Sequence, residues 1–106
     1  MGIRTFTTST FTSLFAAWKA TADDTAGGQT LATLKGSALG TQLKRLILFA
    51  DASGEEVTFG TGTVSGTSPA LPGDVAPIVL DIDKTLADTI KLFSTAGGDV
   101  VVIELG

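Results

Sequence analysis

Histidine, cysteine and tyrosine are missing from all 106 residues, and tryptophan and methionine occur once each. Without His, the chain lacks the side chain that titrates nearest neutral pH, so general acid–base chemistry would fall to carboxylates or Lys. Without Cys it has no thiolate nucleophile, no soft metal ligand and no disulfide framework, and its redox compartment is left open. Catalysis is the weaker reading, and architecture the stronger. What the chain does have is Thr, Gly, Ala and aliphatic residues, with 43% hydrophobic residues and 13 glycines.

Positive charge is also sparse. Seven basic residues face eleven acidic ones, for a net charge of −4. The basic residues (Arg4, Lys19, Lys35, Lys44, Arg45, Lys84 and Lys91) are scattered. Nucleic acid and anionic membrane both select concentrated positive charge, so neither is expected as a partner. The adjacent pair Lys44-Arg45 reads as a solvated strand entry. No stretch approaches the roughly 20 apolar residues of a membrane span, and residues 1–10 lack the unbroken apolar run of a secretory signal. A soluble, unprocessed single domain is expected, with roughly two-thirds of its unfolded surface buried.

Along the chain, residues 1–8 read as an extended N-terminal arm in which Ile3, Arg4 and Phe6 alternate with small residues. Residues 9–106 read as one β-rich domain. Phe11, Leu14, Phe15 and Trp18 fall at i, i+3, i+4 and i+7, which predicts one α-helix over about 10–22, capped by Thr8 or Ser9. After Gly28 the period becomes strand-like, with turn residues every 8–12 positions. A short strand is expected within 29–35 and a central one at 44–50, where Leu46-Ile47-Leu48-Phe49 is continuously apolar. Asp51-Ala52-Ser53-Gly54 predicts a hairpin turn into a strand at 55–59.

Residues 60–77 carry Gly60, Gly62, Gly66, Pro69, Pro72, Gly73 and Pro77 and read as a long loop, with an edge strand at Thr63-Val64. Residues 78–82 alternate as a strand, and a second hairpin is expected to join 89–94 to 100–105. In that last strand Val101, Ile103 and Leu105 line one side and Val100 and Val102 the other. The second side needs a cover, either the helix or a neighbouring subunit, which makes Val100 and Val102 candidates for self-association. The expected fold is mainly β, a β-sandwich or small barrel, with an extended N-terminal arm and one N-terminal helix.

One stretch carries a catalytic pattern. Ile78-Val79-Leu80-Asp81-Ile82-Asp83-Lys84-Thr85-Leu86 resembles the first motif of haloacid dehalogenase-type phosphatases. The resemblance implies Asp81 as nucleophile and Asp83 as acid/base, with a magnesium ion at the phosphoryl group. The match ends there. Only 20 residues follow Leu86, too few for the other catalytic groups, and the strand–helix alternation of a parallel sheet is missing. Asp81, Asp83 and Asp88 also suggest a calcium loop, but Thr85-Leu86 stands where an EF-hand needs an acid or amide followed by Gly. Gly60-Thr61-Gly62-Thr63 and Gly27-Gly28-Gln29-Thr30 lack the Gly-Lys-Ser/Thr ending of phosphate loops. The expectation is no enzyme, no metal site and no cofactor.

The acidic, His- and Cys-free composition, the arm, the Gly/Pro-punctuated β region and the ending from Ile90-Lys91-Leu92-Phe93-Ser94 to Val100-Val101-Val102-Ile103-Glu104-Leu105 resemble tailed-bacteriophage virion proteins. Head decoration or cement proteins come closest. The resemblance implies a β-sandwich or barrel homotrimer, made in the host cytoplasm and placed on the capsid surface. There it would clamp neighbouring subunits of the major capsid protein against genome pressure. Ile3, Arg4 and Phe6 are the candidate partner-binding residues, since an extended arm can add a strand to its host. Two alternatives use similar sequences: a tail, baseplate or fibre-adaptor component, and a small ligand- or carbohydrate-binding module. The second would need aromatic platforms, yet the single Trp lies on the predicted helix's apolar face.

Overall fold

A computed structural model describes residues 14–51, 55–73 and 76–106. The chain is mainly β, with two antiparallel sheets and two short helices among these residues. The first sheet contains β1 (Leu14–Thr21), β7 (Asp99–Leu105), β3 (Arg45–Ala50) and β5 (Ile78–Leu80), in that order. The second contains β2 (Gln29–Thr30), β6 (Lys91–Phe93) and β4 (Thr58–Gly60). Helix α1 (Leu31–Lys35) follows β2, and α2 (Lys84–Ala87) follows β5.

The helix expected over 10–22 is not formed where the chain is described: Leu14–Thr21 is a strand paired along its length with β7. Residues 10–13 and the arm at 1–8 lie outside the described residues. The physical reason is a second period beneath the aromatic one. Ala16, Trp18, Ala20 and Ala22 turn inward while Ala17, Lys19 and Thr21 are exposed, an alternation of two that small alanines hide from a count of large apolar residues. Pairing with the β-branched run Val100–Ile103 supplies backbone partners that a lone amphipathic helix would not need.

Both expected hairpins are also replaced. β3 pairs with β5 and β7, whereas β4 pairs with β6, so the link after Asp51 passes from one sheet to the other. Likewise β6 and β7 belong to different sheets, and the segment 94–98 carries the chain across. Gly98 makes that crossing possible: a Cβ there would stand 2.6 Å from Val57 Cγ2 and 2.9 Å from the Glu55 carbonyl oxygen. Ser94 completes the crossing, because its hydroxyl donates to the Glu56 carbonyl at 2.7 Å and accepts from the Gly98 N–H at 2.8 Å. The expected edge strand at Thr63-Val64 is not formed: Thr63 lies in a bend and Val64 in no regular element, although Val64 is buried.

β3 is internal in its sheet, as its apolar run suggests. The inward residues of the two sheets share one core: Leu46, Leu48, Val100 and Val102 from the first meet Leu92 from the second, with Val57 beside them. Leu31, Leu39 and Leu43 join from α1 and the segment leading to β3. Helix α1 is set by its ends. The Thr30 hydroxyl accepts from the Thr33 N–H, and Gly36 closes the helix at φ 83°, a left-handed conformation that Gly adopts without Cβ cost.

Candidate interaction face

The outward side of the four-stranded sheet is built from the residues that alternate with its core positions. Pairing registers place them in rows across the strands. Ala17, Ile103, Ile47 and Val79 form one apolar row from edge to edge. Lys19, Val101 and Phe49 form the next. Charged residues close the two ends. At one, Arg45 Nε donates to Asp81 Oδ1 at 2.6 Å beside Leu105. At the other, Lys19 Nζ reaches across β7 to Asp51 Oδ2 at 2.7 Å and lies 3.6 Å from Asp99 Oδ2, and the Thr21 hydroxyl donates to Asp99 at 2.6 Å. Val79 is 52% exposed, and Ile47, Phe49, Val101, Ile103 and Leu105 are each half-buried by their neighbours.

Val100 and Val102, the candidates for self-association, are 0% exposed and lie in the chain's own core. The apolar side of β7 left toward solvent is the opposite one. Glu104 shares the inward side with Val100 and Val102 and is likewise fully buried. Trp18 Nε1 donates to Oε2 at 2.7 Å, Lys35 Nζ pairs with the same oxygen at 2.7 Å, and the Gly40 N–H donates to Oε1 at 2.7 Å. Burial pushes its pKa up, but Lys35, Gly40 and Trp18 together outweigh that and hold it below the ordinary value. This cluster ties α1 and the Gly40 segment to β1 and β7.

The Asp-rich stretch is accounted for by local structure. Asp81 pairs with Arg45, which holds its carboxyl below the usual range. Asp83 caps α2, its Oδ1 accepting from the Leu86 N–H at 3.0 Å. Asp88 receives Lys84 Nζ at 2.6 Å. The three acids therefore serve a strand end, a helix start and a helix end. No group of three or more possible metal ligands stands together among the described residues. A hollow of about 100 Å³ lies between Glu55, Glu56, Thr58, Gly66, Phe93 and Thr95, well below the roughly 300 Å³ at which small-molecule sites begin. No helix among the described residues is long and apolar enough to cross a membrane.

Ile3, Arg4 and Phe6 lie outside the described residues. Ile47 and Phe49 were hidden as interface residues because they sit inside a continuous apolar run that suits a strand covered on both faces, and Val79 because a single apolar residue on the outward side of an alternating strand is ordinary. Compared with known protein families, curated proteins and solved structures, the chain matches none.

Proposed function

We propose that the protein is a non-enzymatic virion structural protein, a capsid decoration protein that binds the outer surface of the major capsid lattice as a homo-oligomer and stabilises the shell. Its two sheets form a β-sandwich that serves as a rigid spacer. The observation that carries this reading is the outward face of the four-stranded sheet. Isolated surface apolar residues are ordinary, but a row running across all four strands, rimmed by charged pairs, is the composition of an interface. The absence of His and Cys from the sequence and the structural duties of Asp81, Asp83 and Asp88 favour assembly over catalysis. Contact with the shell falls to Ile3, Arg4 and Phe6, with no nucleic acid, membrane, metal or cofactor required.

The test is gradient sedimentation of the purified protein with heads and, separately, tails of the virus whose genome encodes it. Saturable co-migration with heads is expected. Co-migration with tails alone would favour the tail-component reading, and failure to bind either at saturating concentration would overturn the proposal.

A further inference from the structure

The outward sheet face has a symmetry of its own. We propose that it docks on the same face of a second copy of this chain, about a two-fold axis lying across the strands between the rows of Ile47 and Phe49.

That axis puts the rows of one copy in reverse order over those of the other. Ile103 then lies over Val101 of the second copy and Ile47 over Phe49, so each aliphatic row meets the other apolar row. The row that begins with Arg45 falls on the row that ends with Asp51, and the contact occurs twice because the interface is isologous. Each Arg45 guanidinium, held at one end of the face by Asp81, approaches the Asp51 carboxylate at the other end of its neighbour. Asp51 already takes Lys19 on one oxygen, and a carboxylate accepts several donors. The other face-to-face arrangement, with the axis along the strands, sets Asp99 against Asp51 twice, both times at the same end of the face. Like charges so placed select against it.

The twist of each sheet keeps two packed faces aligned within about 30°, so the match is best at the centre and loosens at the corners. Four strands about 4.8 Å apart and four rows of outward residues give a face of about 20 Å by 20 Å, or about 400 Å² from each copy. That is roughly half of the ~800 Å² per partner of a stable complex, which makes the contact weak and concentration-dependent. The resemblance to decoration proteins implies three copies, whereas this face specifies two. The inference shares with the proposed function only the idea that the face is an interface.

Analytical ultracentrifugation from about 1 µM to about 1 mM tests it, with circular dichroism confirming the fold of each variant. The wild-type chain is expected to pass from monomer to dimer across that range. Arg45→Glu sets two acids against each other at both contacts, and Asp51→Arg sets two cations, so each variant alone should dimerise at least about tenfold more weakly. An equimolar mixture of the two restores opposite charges at both contacts and should dimerise again. A structural effect within one chain cannot produce that rescue. A wild-type monomer at every concentration, a trimer, or folded variants whose mixture stays as weak as either alone would overturn the two-fold docking. Binding of the wild type to heads is read separately: a dimer that ignores heads sinks the decoration reading and leaves this one standing.

Discussion

Glu104 is the residue on which the local energetics turn. A carboxylate with 0% exposure survives only because an indole N–H, a backbone N–H and an ammonium converge on it. Glu104→Gln removes the charge while keeping the shape, leaving the Lys35 ammonium without its counter-charge. The expected cost is about 2–3 kcal/mol in urea unfolding. Its pKa in the folded chain is lowered from 4.5. The stability it supplies is therefore complete above the ordinary Glu range and is lost as pH falls through the depressed folded value. Unfolding followed from pH 7 downward should show wild-type stability falling below about pH 4.5, with a shallower fall in Glu104→Gln. Parallel curves for the two proteins would contradict this. Gly98 makes an independent case: with Val57 Cγ2 at 2.6 Å from any Cβ, Gly98→Ala should cost about 1–3 kcal/mol by overpacking, whereas Gly62→Ala, with nothing within 4 Å, should cost well under 1 kcal/mol at about the level of ordinary surface changes.

At the scale of elements, β1 shows what the sequence conveys and what it hides. The central position of β3 was legible because four consecutive large apolar residues need neighbours on either side. The alternation of β5 was legible from its period of two, and the two-sided apolar character of β7 from its unbroken apolar run. β1 was not, because between Ala16 and Thr21 its inward residues other than Trp18 are alanines, and a helix and a strand both accept Ala. The two hairpins were misread because turn chemistry at Asp51 and Gly97-Gly98 specifies that the chain bends, not which sheet receives it. Substitution separates the alternatives. Ala17 and Ala20 both lie off the apolar stripe of a helix, so a helix would tolerate Glu at either. In the strand, Ala17→Glu should change stability by no more than about 0.5 kcal/mol at dilution, while Ala20→Glu, pointing inward, should cost about 2 kcal/mol or more. The Asp-x-Asp stretch behaves as a strand end and a cap: Asp83→Ala should cost about 1 kcal/mol through loss of the α2 cap, and Asp81→Asn and Asp83→Asn should leave particle binding unchanged.

At the scale of the whole molecule, the candidate site was legible as chemistry but not as place. Sparse basic residues and missing catalytic side chains pointed toward assembly, and β7 announced an excess of apolar surface. Which side of β7 stays outward was decided by three partners of Glu104 far away in the sequence, and no local pattern encodes that. The resulting account is of a non-catalytic β-rich spacer with a core between two sheets, an apolar face for its own kind and an N-terminal segment for the shell. Its central claim is mechanical, so heating shells is the most direct measurement. Genome release is followed in shells lacking the protein, in the same shells after saturation with it, and after saturation with a chain shortened by residues 1–8. The account predicts that the full-length chain raises the release temperature and that the shortened chain, still folded, does not. Release at one temperature in all three, with the full-length chain bound, would contradict it.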